Sequence, residues 1–142
     1  MAAIIDIHTH AFPDNIAKIA IPALEREGNI KAYLNGTVND LLESMDRSGV
    51  EQSVLCSIAT RPEQFAPILA WAKEIRSERI IPFPSLHPED PDLLEHLQLI
   101  HDEGFKGVKM HSYYQDYLLD DPRLFDLYEK MGELGTILVI HA

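Results

Sequence analysis

Basic residues are scarce in this chain. Twelve Lys plus Arg stand against 23 Asp plus Glu, a formal net charge of −11, and no Lys/Arg cluster opposes that average. A polyanion is repelled on average, so neither nucleic acid nor an anionic membrane surface is expected as a partner. Cysteine is nearly absent. Cys56 is the only one, which rules out an intrachain disulfide and fits a reducing, cytoplasmic setting. Long apolar runs are missing too: Ile137 to Ile140 is far too short to span a bilayer. The opening MAAIIDIHTH has no basic region, and Asp6 and His8 interrupt its apolar run, so it does not read as a signal peptide. There is no linker-like tract and no fixed-period repeat.

What remains is an ordinary globular composition, 46% hydrophobic and 25% charged over 142 residues, enough for one domain, 1–142, with a sizeable core. Five short Ile/Val/Leu/Phe-rich runs read as strands: 4–10, 53–58, 79–86, 107–111 and 136–141. Several are apolar on both faces, as strands are when helices cover a parallel sheet. Helical segments lie between them. Residues 38–48 place Leu41, Leu42 and Met45 on one stripe behind Thr37 as N-cap. Residues 62–77 carry Phe65, Ile68, Leu69, Ala72 and Ile75 at helical spacing. Residues 91–103 and 122–134 each begin with Pro behind an Asp. Gly49, Gly104 and Gly135 stand where a left-handed residue stops a helix. Residues 15–27 form an additional helix or lid after the first strand. Strands two to five start roughly 26 to 30 residues apart, the size of one βα unit with right-handed crossover. The expected class is α/β: a partial (β/α)₈ TIM-like barrel of about five parallel strands, its last three strands absent from the chain, since such barrels run to about 250 residues. A complete five-stranded doubly wound domain is the alternative.

The chemistry concentrates in Asp6-Ile7-His8-Thr9-His10. Alternate residues of a strand share a face, so His8 and His10 can converge on one ion from a rigid backbone, and imidazole suits zinc, iron or nickel. Asp6 would orient one ring or fix the strand. The pair sits at the C-terminal end of the first strand, the end on which barrel active sites are built, and His141 ends the fifth; a polar strand end with solvent-exposed histidines and a capped strand end are the simpler readings of the pair and of His141.

The segment IDIHTHAFP resembles the opening of the amidohydrolase superfamily, specifically its amidohydrolase-related group, which includes aminocarboxymuconate-semialdehyde decarboxylase-like enzymes. GFKGVKMHSYYQ and ILVIHA are similar to later family segments. The resemblance implies a metal-dependent barrel holding a divalent metal, most often Zn²⁺, on His8, His10 and His141. It also implies that the acid/base His and Asp lie beyond Ala142, so no catalytic residue is assigned within the chain. The reaction expected is hydrolysis of a small carbonyl or carboxylate compound by a water the metal acidifies. The alternative is non-oxidative decarboxylation by the same centre.

Lys109 and His111 alternate with Val108 and Met110 and therefore share a face. Lys109 can bind a substrate carboxylate, become carboxylated between two metals as in the binuclear branch that this sequence resembles, or pair structurally. His111 can contact substrate or support a ligand, and Arg61, after the second strand, can clamp a carboxylate. An ordinary loop arginine and a plain polar strand end are the simpler readings of Arg61 and His111. His87 reads as a turn residue. Tyr113, Tyr114 and Tyr117 either wall a pocket for a planar substrate or pack on the next helix. Trp71 and Cys56 read as core, and His96 and His101 as solvent-facing. Two further functions compete: a phosphoesterase or TatD-like nuclease, which also begins HxH, and an inert half-barrel that self-associates through exposed strand edges, giving a homo-oligomer.

Overall fold

The computed structural model describes residues 3–141. Five strands alternate with helices: β1 (Ile5–Thr9), α1 (Asp14–Gly28), α2 (Val38–Ser48), β2 (Gln52–Cys56), α3 (Phe65–Ile75), β3 (Ile80–Phe83), α4 (Leu93–Asp102), β4 (Gly107–His111), α5 (Phe125–Leu134) and β5 (Ile137–His141). The sheet pairings given by register, β1 with β2 and β4 with β5, are both parallel. No helix among the described residues is long and apolar enough to cross a membrane.

The chain divides into two compact units, residues 1–55 with 75–81, and residues 56–74 with 82–142. In the first, β1 lies at the edge of the order β1-β2-β3. Its apolar residues are not covered as their alternation predicts: Ile5 and Ile7 are 49% and 68% exposed. The Thr37 hydroxyl accepts the Asp40 N–H at 3.2 Å, satisfying one of the donors a helix start leaves open. Leu41 and Met45 of α2 turn inward, and Gly49 ends the helix at φ 69°, a conformation that costs glycine nothing. Arg79 ties the foot of this unit, donating to the carbonyls of Glu51 and Val50 at 2.8 and 3.1 Å.

The second unit contains the larger core, in which Leu97 and Ile100 of α4, Val108 and Met110 of β4, Leu124 just before α5 and Leu127 within it are wholly buried. Each such aliphatic side chain contributes about 1.5–3 kcal/mol through removal from water. Short 3₁₀ turns, Pro62–Gln64 and Pro122–Leu124, lead into α3 and α5. The Asp121 carboxylate caps the second, accepting the Arg123 N–H. Gly107, where β4 begins, permits a close approach: a Cβ there would lie 2.2 Å from the Phe83 ring and 2.7 Å from the Ile137 carbonyl.

β3 is shorter than its apolar run predicts. Pro82 and Pro84 have no N–H to give a ladder. The chain beyond β3 meets β4 by accepting instead, with the Lys109 N–H donating to the Pro84 carbonyl at 2.8 Å and an isolated parallel bridge between Ser85 and Lys109. α4 also begins later than its Pro predicts, because Asp90 and Asp92 spend a turn before Leu93.

Candidate metal centre

In the first unit, the two histidines of β1 meet through their rings. His8 Nε2 and His10 Nε2 are 3.1 Å apart, with ring centroids 5.0 Å apart and planes inclined by 64°. Two imidazole nitrogens bound to one tetrahedral zinc at about 2.0–2.1 Å would lie roughly 3.3 Å apart. The donor set and its spacing therefore fit a divalent ion. A register shift lies beside this pair. Asp6 faces Ser53 and Thr9 faces Leu55, so β1 spends three steps where β2 spends two. Such a bulge re-aims side chains, and bulges concentrate near active sites. The Asp6 carboxylate accepts the His8 backbone N–H at 3.1 Å, so it shapes the bulge. The Thr9 hydroxyl donates to the Val54 carbonyl at 2.9 Å and pins the strand directly below His10.

In the second unit, the parallel register sets Lys109 beside Val139 and His111 beside His141. The imidazoles of His111 and His141 stack, with centroids 4.2 Å apart and planes within 11°. His111 is buried and His141 exposed. The Ser112 hydroxyl holds the His141 carbonyl at 3.0 Å, and Tyr114 donates its N–H to His111 Nδ1 at 3.3 Å. Lys109 is enclosed completely, 0% exposed. Burial lowers its ammonium pKa from the usual lysine range, partly offset by the neighbouring Cys56 thiol. Its carbonyl accepts the Ser85 hydroxyl at 2.8 Å.

The remaining expected residues divide between surface and interior. Arg61 is exposed at the start of the 3₁₀ turn, its N–H donating to the Gln64 side chain at 3.2 Å. His87 is a buried turn residue, accepting the Glu89 N–H at Nδ1, and desolvation lowers its pKa below 6.5. The tyrosines separate: Tyr117 packs in the core, while Tyr113 is 78% exposed. Both still border an open cleft of about 500 Å³ shared with Asp116 and Asp121. Cys56 is buried as expected, but Trp71 is only half-buried. His96 is only partly solvent-facing. Its ring stacks on Phe65 at 3.7 Å, and its Nδ1 lies 2.6 Å from the Asp90 carboxylate.

Two features escaped the sequence reading. Asp90, Asp92 and His96 form a set whose ligand-type atoms lie within 4.8 Å of one another, and the spacing Asp-x-Asp-x-x-x-His was its only signal. The other is the buried Gln115, which bears no charge and follows no period.

A family model described as Amidohydrolase matches residues 5–142. No curated protein matches the chain. Among solved structures, the chain is similar to IDCase of Metarhizium anisopliae in apo form, with a TM-score of 0.69 and 16% identity over 98% of this chain and 50% of that one. This likeness shows the fold: strand–helix alternation corresponding to part of a (β/α)₈ barrel. The chain spans half the length of that protein.

Proposed function

Because the chain belongs to the amidohydrolase family, whose model covers residues 5–142, we propose that it forms part of a metal-dependent hydrolase acting on a small carbonyl or carboxylate compound. His8, His10 and His141 hold a divalent cation, zinc as the first choice, and the observation that carries this reading is the 3.1 Å approach of the His8 and His10 Nε2 atoms. A cation so held supplies Lewis acidity and an acidified water.

The chain's own residues orient and bind. The bulge and Asp6 hold His8 in register, and Thr9 anchors the strand end. His111 fixes the ring plane of His141 through their stack. Arg61, exposed and carrying a forked donor, draws a substrate carboxylate by a bidentate pair. Lys109 lies two residues before His111 on β4 and is wholly enclosed, which supports the structural reading of its ammonium over contact with substrate. A non-oxidative decarboxylase uses the same ligands, and the likeness to IDCase supports that second reading. The uncovered Ile5 and Ile7 of edge strand β1, with Ile4 just before it, support self-association of the chain as a third.

The test is metal affinity. Competition of the purified chain against a chromophoric chelator for Zn²⁺ is expected to show a loss of at least about tenfold for His8→Ala, the scale that even loss of an outer hydrogen bond reaches. An affinity unchanged by His8→Ala removes the reading.

A further inference from the structure

Gln115 lies in the turn after β4, where polar side chains ordinarily face water, yet it is 4% exposed. Its Nε2 donates to the carbonyls of Ala59 at 2.8 Å and Leu86 at 2.7 Å, and lies 3.5 Å from the Ser85 hydroxyl. Its Oε1 accepts the His111 N–H at 2.8 Å, and its own N–H returns to the His111 carbonyl at 3.0 Å. Ala59 follows β2, Leu86 follows β3 and His111 closes β4, so one carboxamide gathers three strand ends on the side where barrel enzymes build their sites. The chemistry selects this residue type. A carboxylate lacks the two donors, lysine and arginine lack the acceptor, and asparagine is one methylene shorter.

We infer that Gln115 is a positioning residue of the metal centre, clamping His111 so that its ring presents a fixed face to the His141 imidazole. The inference rests on the metal reading above. His111 is held at both backbone atoms by Gln115 and at Nδ1 by the Tyr114 N–H, which leaves its ring little freedom. The stack at 4.2 Å passes that constraint to His141.

The experiment is a Co²⁺ titration of the purified chain, read by visible absorption, which reports both affinity and ligand geometry. Four variants are compared with wild type: the near-isosteric Gln115→Met; Gln115→Glu, which keeps the acceptor for His111 and loses the donors; His141→Ala; and Ile100→Val, a core change outside the site. Gln115→Met is expected to weaken Co²⁺ binding roughly tenfold and to shift the visible bands. Gln115→Glu is expected to weaken it less, and Ile100→Val to leave both unchanged. Wild-type affinity and bands in Gln115→Met, beside a loss in His141→Ala, overturn the positioning role and leave the metal reading standing. Unchanged binding in His141→Ala overturns both. If Gln115→Met does not fold, Gln115→Glu decides by the same criterion.

Discussion

Gly107→Ala is the most informative single methyl to add. The new Cβ would sit 2.2 and 2.5 Å from two Phe83 ring atoms and 2.7 Å from the Ile137 carbonyl oxygen, against an optimum of about 3.5–4.0 Å for carbon pairs. Neither neighbour yields cheaply. Phe83 is 3% exposed in the packed interior, and the Ile137 carbonyl belongs to the parallel register that pairs Gly107 with Ile137. Overpacking costs about 1–3 kcal/mol at typical core sites. With a ring and a backbone atom both in the way, a cost of about 3 kcal/mol is expected, lowering Tm by roughly 10 °C for a domain of this size. The same register pairs His111 with His141, so parting the strands at their foot is expected also to disturb the imidazole stack and, under the proposed metal reading, to weaken Zn²⁺ binding. Urea denaturation measures the first effect and chelator competition the second. Phe83→Leu in the Gly107→Ala background is expected to restore part of the stability, a coupling of about 0.5–3 kcal/mol as for residues in contact. The carbonyl contact remains. A Gly107→Ala protein within about 0.5 kcal/mol of wild type, the range of an ordinary surface change, would refute the packing argument.

The other expectations concern single groups. The Tyr117 hydroxyl is buried with no hydrogen-bond partner among the described residues, and burial together with Tyr128 pushes its pKa up to about 12. Tyr117→Phe should therefore be neutral or stabilising by up to about 1 kcal/mol, and a clear loss in urea denaturation would mean that the hydroxyl is satisfied. His87 has a folded pKa below the 6.5 of its unfolded form, chiefly because burial disfavours the charged ring. As pH falls through 6.5 the unfolded chain takes up the proton first. The contribution of His87 to stability is whole above that pH, declines toward the depressed folded value and is flat below it. Urea midpoints measured against pH should fall less steeply in this window for His87→Gln; parallel curves would contradict the assignment.

Much of the framework is legible in the sequence because its signals are local. α2 spans the residues its stripe and Thr37 predict, and Gly49 and Gly135 end helices in left-handed geometry. Parallel pairing follows from strand–helix alternation. Amidohydrolase membership follows from the HxH motif and its surroundings, and the family model bears it out. Departures occur where backbone hydrogen bonding or long-range packing decides. Apolar content alone extends β3 to Leu86, but two prolines cut its ladder short. Helical spacing places His96 in water, but Phe65 and Asp90 claim its ring. The role of Gln115 was not legible, since two of the carbonyls it gathers are 29 and 56 residues away and no pattern along the chain marks such distances.

The prolines in and just after β3 invert the usual tolerance of a sheet to mutation. Where a ladder is knit by main-chain atoms, almost any side chain serves, because every residue except proline brings the same donor and acceptor. Along the line joining Pro84, Ser85 and Leu86 to Lys109, a hydroxyl and a carboxamide supply part of that stitching. Drift in this protein should consequently spare two unremarkable polar positions, Ser85 and Gln115, while greasier neighbours exchange freely among themselves.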